Sequence, residues 1–155
     1  MNTTTLKRPR GRPSNFDHEE ALEKALQVFW ARGYEGASMS ELTEVLGINK
    51  PSIYAAFGNK EELFRKALAR YAAGPAAFVG EAMREPTARQ VVEKFLLQAV
   101  DFFSDKSTPN GCMVVQGALT CGQGSSKIQQ ELVAYRSSIE TTLTKRFELA
   151  KTQGD

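Results

Sequence analysis

The chain is poor in the residues on which many chemistries depend. Its 155 residues include one histidine, His18, and two cysteines, Cys112 and Cys121. That set cannot assemble a zinc centre, so no metal or other cofactor is expected. So few cysteines argue for a reducing compartment rather than a disulfide scaffold. Gly-x-Ser-x-Gly elbows, phosphate-cradling glycine loops and His-Glu-x-x-His are all missing, which speaks against an enzyme. The uncharged window from Tyr71 to Gly80 is broken by Gly74 and Pro75 and is too short to cross a bilayer. The basic N-terminus has no apolar run behind it and does not read as a secretory signal. A cytoplasmic, metal-free protein with no membrane association is the expectation. Its composition, 41% hydrophobic and 25% charged, is that of an ordinary globular protein.

Charge is unevenly placed. Lys7, Arg8, Arg10 and Arg12 stand in residues 1–15 without an acid, while the rest of the chain holds 16 basic against 18 acidic residues. A basic arm facing a polyanion fits this asymmetry better than a generally cationic surface. Residues 1–15 lack apolar periodicity and read as a flexible arm. Within it, Pro9-Arg10-Gly11-Arg12-Pro13 combines extended backbone, a glycine that permits close approach and two arginines suited to a narrow minor groove. The five residues resemble the core of an AT-hook; the alternative is a solvated basic tail.

The remainder reads as all-α. Asp17 caps a first helix whose Leu22, Ala25, Leu26 and Phe29 form one apolar face, and Gly33 ends it. Trp30 is placed at the edge of that face. Ser38-x-x-Glu41 is a capping box opening a second helix, with Met39, Leu42, Val45 and Leu46 inward and Gly47 as its stop. Asn49 caps a third helix, Pro51 suits its first turn, and Ile53 and Phe57 point to the core. Asn59-x-x-Glu62 opens a fourth, carrying Leu63, Phe64, Ala67, Leu68 and Tyr71. Gly74-Pro75 then marks a boundary. Three domains follow: an arm at 1–15, a helix-turn-helix unit at 16–73 linked through the fourth helix, and a helical effector and dimerisation domain at 74–155. In the last, 87–104 is apolar nearly all round and is expected to be buried on several sides. Residues 111–121 are apolar and short, and their helical company favours helix over strand. Ile128, Leu132, Tyr135, Ile139, Leu143, Phe147 and Ala150 stripe a final long helix.

The third helix is the informative one. One or two turns return few hydrogen bonds against a costly nucleus, so so short a helix must be held by its neighbours. Near its start it offers Asn49, Lys50, Ser52 and Tyr54, the kind of face that the second helix of a helix-turn-helix presents to a major groove. Lys60 opens the fourth helix, where it opposes the dipole; a nearby phosphate would justify it.

Gly33-Tyr34-Glu35-Gly36, Ser38-Met39-Ser40-Glu41-Leu42, Gly47-Ile48-Asn49-Lys50-Pro51-Ser52-Ile53-Tyr54 and Phe57-Gly58-Asn59-Lys60-Glu61-Glu62-Leu63-Phe64 together resemble the DNA-binding domain of TetR/AcrR transcriptional regulators. Gly111-Cys112-Met113-Val114-Val115-Gln116-Gly117-Ala118 is also similar to part of the effector domain in one branch of that family. The resemblance implies a homodimer on double-stranded DNA with a palindromic operator, usually a repressor released by a small-molecule effector. It places Ser38 and Ser40 on phosphate, Lys50, Pro51 and Ser52 near bases, Tyr54 on either, and Lys60 on phosphate. Ala55 and Ala56 stand where the family often has an aromatic residue or histidine, so thymine methyls and the arm are expected to share base reading. Members of the family usually continue beyond the point where this chain stops, so the second domain is expected to be incomplete, with an apolar patch at Leu143 and Phe147. An effector pocket is expected among Phe78, Phe95, Phe102, Phe103, Met113 and Tyr135. Two other readings are a redox or electrophile sensor using Cys112 or Cys121, and a non-specific AT-hook protein. On one helix the two cysteines, nine residues apart, would lie about 13.5 Å apart along the axis, too far to bond.

Overall fold

The computed structural model describes residues 16–120 and 126–155, and the described residues form eight helices. They are α1 (His18–Gly36), α2 (Met39–Leu46), α3 (Lys50–Phe57), α4 (Lys60–Ala73), α5 (Phe78–Ala82), α6 (Ala88–Ser104), α7 (Met113–Thr120) and α8 (Ser126–Gln153). The stretch that was ambiguous between strand and helix is therefore α7. The arm and Cys121 lie outside the described residues.

Local chemistry accounts for most boundaries. Asp17 accepts from the Glu19 and Glu20 amides at 2.8 and 3.2 Å and so starts α1. Gly33 has φ +70°, a left-handed value that favours glycine; one further turn to Gly36 follows the break. At α2 only half of the expected capping box forms. Ser38 Oγ accepts from the Glu41 amide at 3.0 Å, whereas the Glu41 carboxylate faces Arg32 at 3.4 Å. Asn59 and Glu62 make both reciprocal bonds, at 3.0 and 2.8 Å. Thr87 and Gln90 form a further such box at the start of α6 that the sequence reading passed over.

Apolar burial assembles these pieces into one core. Leu26, Phe29 and Trp30 of α1, Leu42 of α2, Ile53 of α3, and Leu63, Phe64 and Tyr71 of α4 are buried with Met113 of α7 and Ile128 and Leu132 of α8. Phe29 meets Phe64 edge-on at 5.1 Å between ring centroids. Trp30 is not at an edge: it is 1% exposed, and its indole N–H donates to the Gly111 carbonyl at 2.8 Å. Gly111, with φ +81°, turns the chain into α7 at that contact. Arg65 of α4 reaches Glu131 of α8, with its Nη2 2.7 Å from the carboxylate. Arg70 of α4 pairs with Glu19 and Glu23 of α1.

Two expectations about burial fail. Val45 is 42% exposed, because α2 is short and packs through Leu42 and Leu46, with Met39 partly buried beside them. Helix α6 is not buried on several sides. Of its residues only Val91 is fully buried, while Val92, Leu96, Leu97, Val100 and Phe103 are exposed, Leu97 by 64%. It packs through one side against α5 and α8, and no described element covers the other. In α8, Leu143 is half-buried and Phe147 is 37% exposed.

Trp30→Phe keeps a ring but leaves the Gly111 carbonyl without its donor. The expected loss in urea unfolding is about 1–3 kcal/mol; a variant within about 0.5 kcal/mol of the parent would show that the bond carries no stability. Bonding to Arg65 holds the Glu131 carboxyl below its ordinary value of 4.5, and bonding to Arg70 does the same for Glu23. A lowered carboxyl stabilises the fold above its unfolded value and loses that contribution as pH falls below about 4.5. Both pairs are partly open to solvent, which screens them, so the contribution is small. Thermal midpoints measured from pH 6 to pH 3 should fall less steeply for Glu131→Gln than for the parent.

Candidate nucleic-acid interface

The helix-turn-helix is built by two caps around a glycine. Gly47 ends α2 at φ +68°, ψ +21°, and its amide donates to the Thr43 and Glu44 carbonyls. Ile48 packs half-buried beneath this turn. Asn49 Oδ1 then accepts from the Ser52 amide at 2.9 Å, with Pro51 in the first turn of α3. The helix has eight residues and is held from within by Ile53 and Phe57, which are 0% and 4% exposed. Its far end is tied to α4: the Lys66 ammonium donates to the Phe57 carbonyl at 2.9 Å, a cation placed at a helix C-terminus.

With those residues turned inward, Asn49, Lys50, Pro51 and Tyr54 are exposed and Ser52 is half-buried. The Lys50 ammonium is 5.9 Å from the Tyr54 ring centroid, at the outer limit of a cation–π contact. Ala55 is exposed and Ala56 half-buried. Ser38 and Ser40 stand exposed at the start of α2. Lys60 is half-buried at the start of α4, with its ammonium 4.5 Å from the Tyr34 ring centroid. Burial lowers its pKa, and Glu35 partly opposes that shift. The ring face supplies some of the compensation for an unfavourable dipole that a phosphate alone had been invoked to provide. Tyr34 stands four residues before the Ser38 cap, and nothing in that spacing announces its contact with Lys60. The structure thus brings Lys50 to Tyr54 and Lys60 to Tyr34, with Ser38 and Ser40 on a separate helix. Arg10 and Arg12 lie outside the described residues.

The expected effector residues divide. Phe78, Phe95, Phe102, Phe103 and Tyr135 line one cavity of about 280 Å³. Met113 does not: it is 1% exposed and belongs to the central core. Val114 lines the cavity instead, because adjacent helical positions point about 100° apart, and Cys112 joins it from the turn before α7. Tyr71, Arg136 and Ile139 also line it and were not anticipated. Tyr71 donates its hydroxyl to Cys112 Sγ at 3.4 Å, and burial pushes the Tyr71 hydroxyl pKa upward. A second hollow of about 510 Å³ lies between the end of α4, α5 and α8, lined by four alanines, Met83, Tyr135, Ile139 and Leu143 together with Glu81, Arg84, Ser138 and Thr142. The smaller cavity alone has an aromatic wall that continues into the core. Phe102 stacks on Trp30 at 5.6 Å, and Trp30 meets Tyr71 at 4.9 Å. Cavity, α1 and α4 therefore share one ring cluster.

An all-helical chain with a capped, exposed recognition-type helix belongs to the class of helix-turn-helix DNA-binding regulators. Comparison with known proteins narrows the class. The family model for bacterial regulatory proteins of the tetR family matches residues 21–67. The transcriptional repressor ComR of Escherichia coli K12 is 35% identical over 143 residues, covering 91% of this chain and 68% of ComR. The repressor BdcR of the same organism is 34% identical over 145 residues, covering 92% of this chain and 72% of BdcR. A cysteine mutant of the TetR family regulator CifR, solved in complex with 26-base-pair double-strand operator DNA, superposes with a TM-score of 0.86 at 41% identity. That match covers 93% of this chain and 76% of CifR. This chain belongs to the TetR family of transcriptional regulators and is not an enzyme.

Proposed function

We propose that this regulator binds a palindromic operator as a homodimer, represses transcription there, and is released by a small molecule held in the cavity between α4, α5, α6 and α8. The observation that carries the reading is the start of α3, where Lys50, Pro51 and Tyr54 are exposed because Ile53 and Phe57 anchor the helix from behind. In this reading Lys50, Pro51 and Ser52 approach bases, Asn49 and Tyr54 flank them, and Ser38, Ser40 and Lys60 hold phosphates. Arg10 and Arg12 of the arm enter the adjacent minor groove. Residues 16–73 serve DNA, and residues 74–155 serve effector and partner. The site of action is the cytoplasm.

Two further features support it. The shared ring cluster gives a bound molecule a route to α1 and α4, since a shift of Phe102 is felt by Trp30. The exposed apolar side of α6, from Val92 to Phe103, supports association with a second copy.

Lys50→Ala should abolish preference for operator over random DNA in fluorescence anisotropy, an expected loss of about 1–3 kcal/mol of discrimination per bidentate base contact. Deleting residues 1–13 should instead weaken binding to all sequences and reduce the salt slope. Equal loss on operator and random DNA for Lys50→Ala would count against base reading. Light scattering should return twice the chain mass, falling to the monomer for Val100→Glu; a parent protein that is monomeric at micromolar concentration would overturn the dimer.

A further inference from the structure

The cavity lined by Phe78, Phe95, Phe102 and Phe103 is almost wholly apolar, yet one charged side chain stands in its wall. Phe102 lies 5.3 Å from Phe78 and 4.9 Å from Phe103, and Phe78 lies 5.9 Å from Phe95, so the four rings form one continuous surface. Arg136 is the single ionic residue among those lining this space. No carboxylate among the described residues pairs with it, although Arg65, Arg70 and Arg32 all have carboxylate partners. Beside it in the chain, Tyr135 also lines the cavity, and burial raises its hydroxyl pKa, so the phenol is a neutral donor at physiological pH. The Tyr71 hydroxyl is already engaged with Cys112 and is not a competing donor.

An arginine without a counter-ion at an apolar wall selects a ligand that brings the missing charge. Its planar fork matches a carboxylate, and such bonds are about twice as strong as neutral ones. A dianionic phosphate would need more than one cation to offset its desolvation, and the wall offers only Arg136. The volume of about 280 Å³ lies just below the usual range of ligand pockets, roughly 300–1,000 Å³, and so limits the ligand to a small molecule. We propose that the cavity takes a small monocarboxylate with an apolar ring or chain, its carboxylate on Arg136 and Tyr135 and its body against the four phenylalanines. The proposal rests on the reading of this cavity as the effector site, and it adds the chemical class of the effector.

The test is calorimetry on the full chain with phenylacetate and hexanoate, each beside its neutral counterpart, 2-phenylethanol and hexanol. At least one acid should bind ten or more times more tightly than its alcohol. Arg136→Gln should remove that advantage, and Arg136→Lys should restore part of it. The comparison of acid with alcohol on the parent protein needs no variant and decides even if Arg136→Gln folds poorly. Alcohols that bind as tightly as the acids would overturn the carboxylate assignment while leaving the effector reading intact. If neither acids nor alcohols bind, both fall. Release of operator DNA by any compound that binds the cavity is scored separately and tests the effector reading alone.

Discussion

Trp30 cannot be buried with its indole N–H unpaired, and the arrangement of the molecule follows from where that proton goes. An unpaired buried donor would cost about 1–3 kcal/mol. The partner is the Gly111 carbonyl, 81 residues along the chain, which a left-handed glycine turns toward α1. Meeting it places α7 against α1, and α7 in turn carries α8. The ring then stacks on Phe102 and meets Tyr71, which closes the inner end of the cavity. One hydrogen bond and one ring stack therefore join the helix-turn-helix unit to the helices that enclose the cavity.

Against that rigid frame, α3 owes its order to others. Eight residues do not sustain a helix in water. Asn49 supplies the start, Lys66 satisfies the Phe57 carbonyl at the end, and Ile53 and Phe57 bind the middle to the core. The side chains left over are those proposed to read DNA. Function here is assigned to what packing does not consume. The same holds for Arg136, the one cation of the cavity wall and without a carboxylate partner among the described residues, while Arg65 and Arg70 are consumed in joining α4 to α8 and α1.

Much of this was legible along the chain because caps and turns are local. Asp17, Ser38, Asn49 and Asn59 each bond an amide two or three residues away, so their spacing announces them. The capping box at Ser38 was only half right, because Glu41 had a competing partner in Arg32 on another helix. The apolar sides of α1 and α4 were likewise legible from their period. The sides of α6 were not: apolar residues nearly all round signal burial, but no described element covers the outer side, which stays exposed. Lys60 shows the same limit, since the Tyr34 ring beneath it lies 26 residues away in sequence.

Where the first four helices start, and which residues stand at the start of α3, come from interactions within four residues of one another, and the linear order of side chains suffices to specify them. The wall of the cavity does not. Met113 falls outside it and Val114 within it by a rotation of about 100°, with Cys112 entering from the turn before α7, and all three are set only once α7 docks on α1. Trp30 moved from the edge of a stripe to the centre of the molecule for the same reason. Its partner, the Gly111 carbonyl, is a long-range one, and only the folded chain brings the two within 2.8 Å.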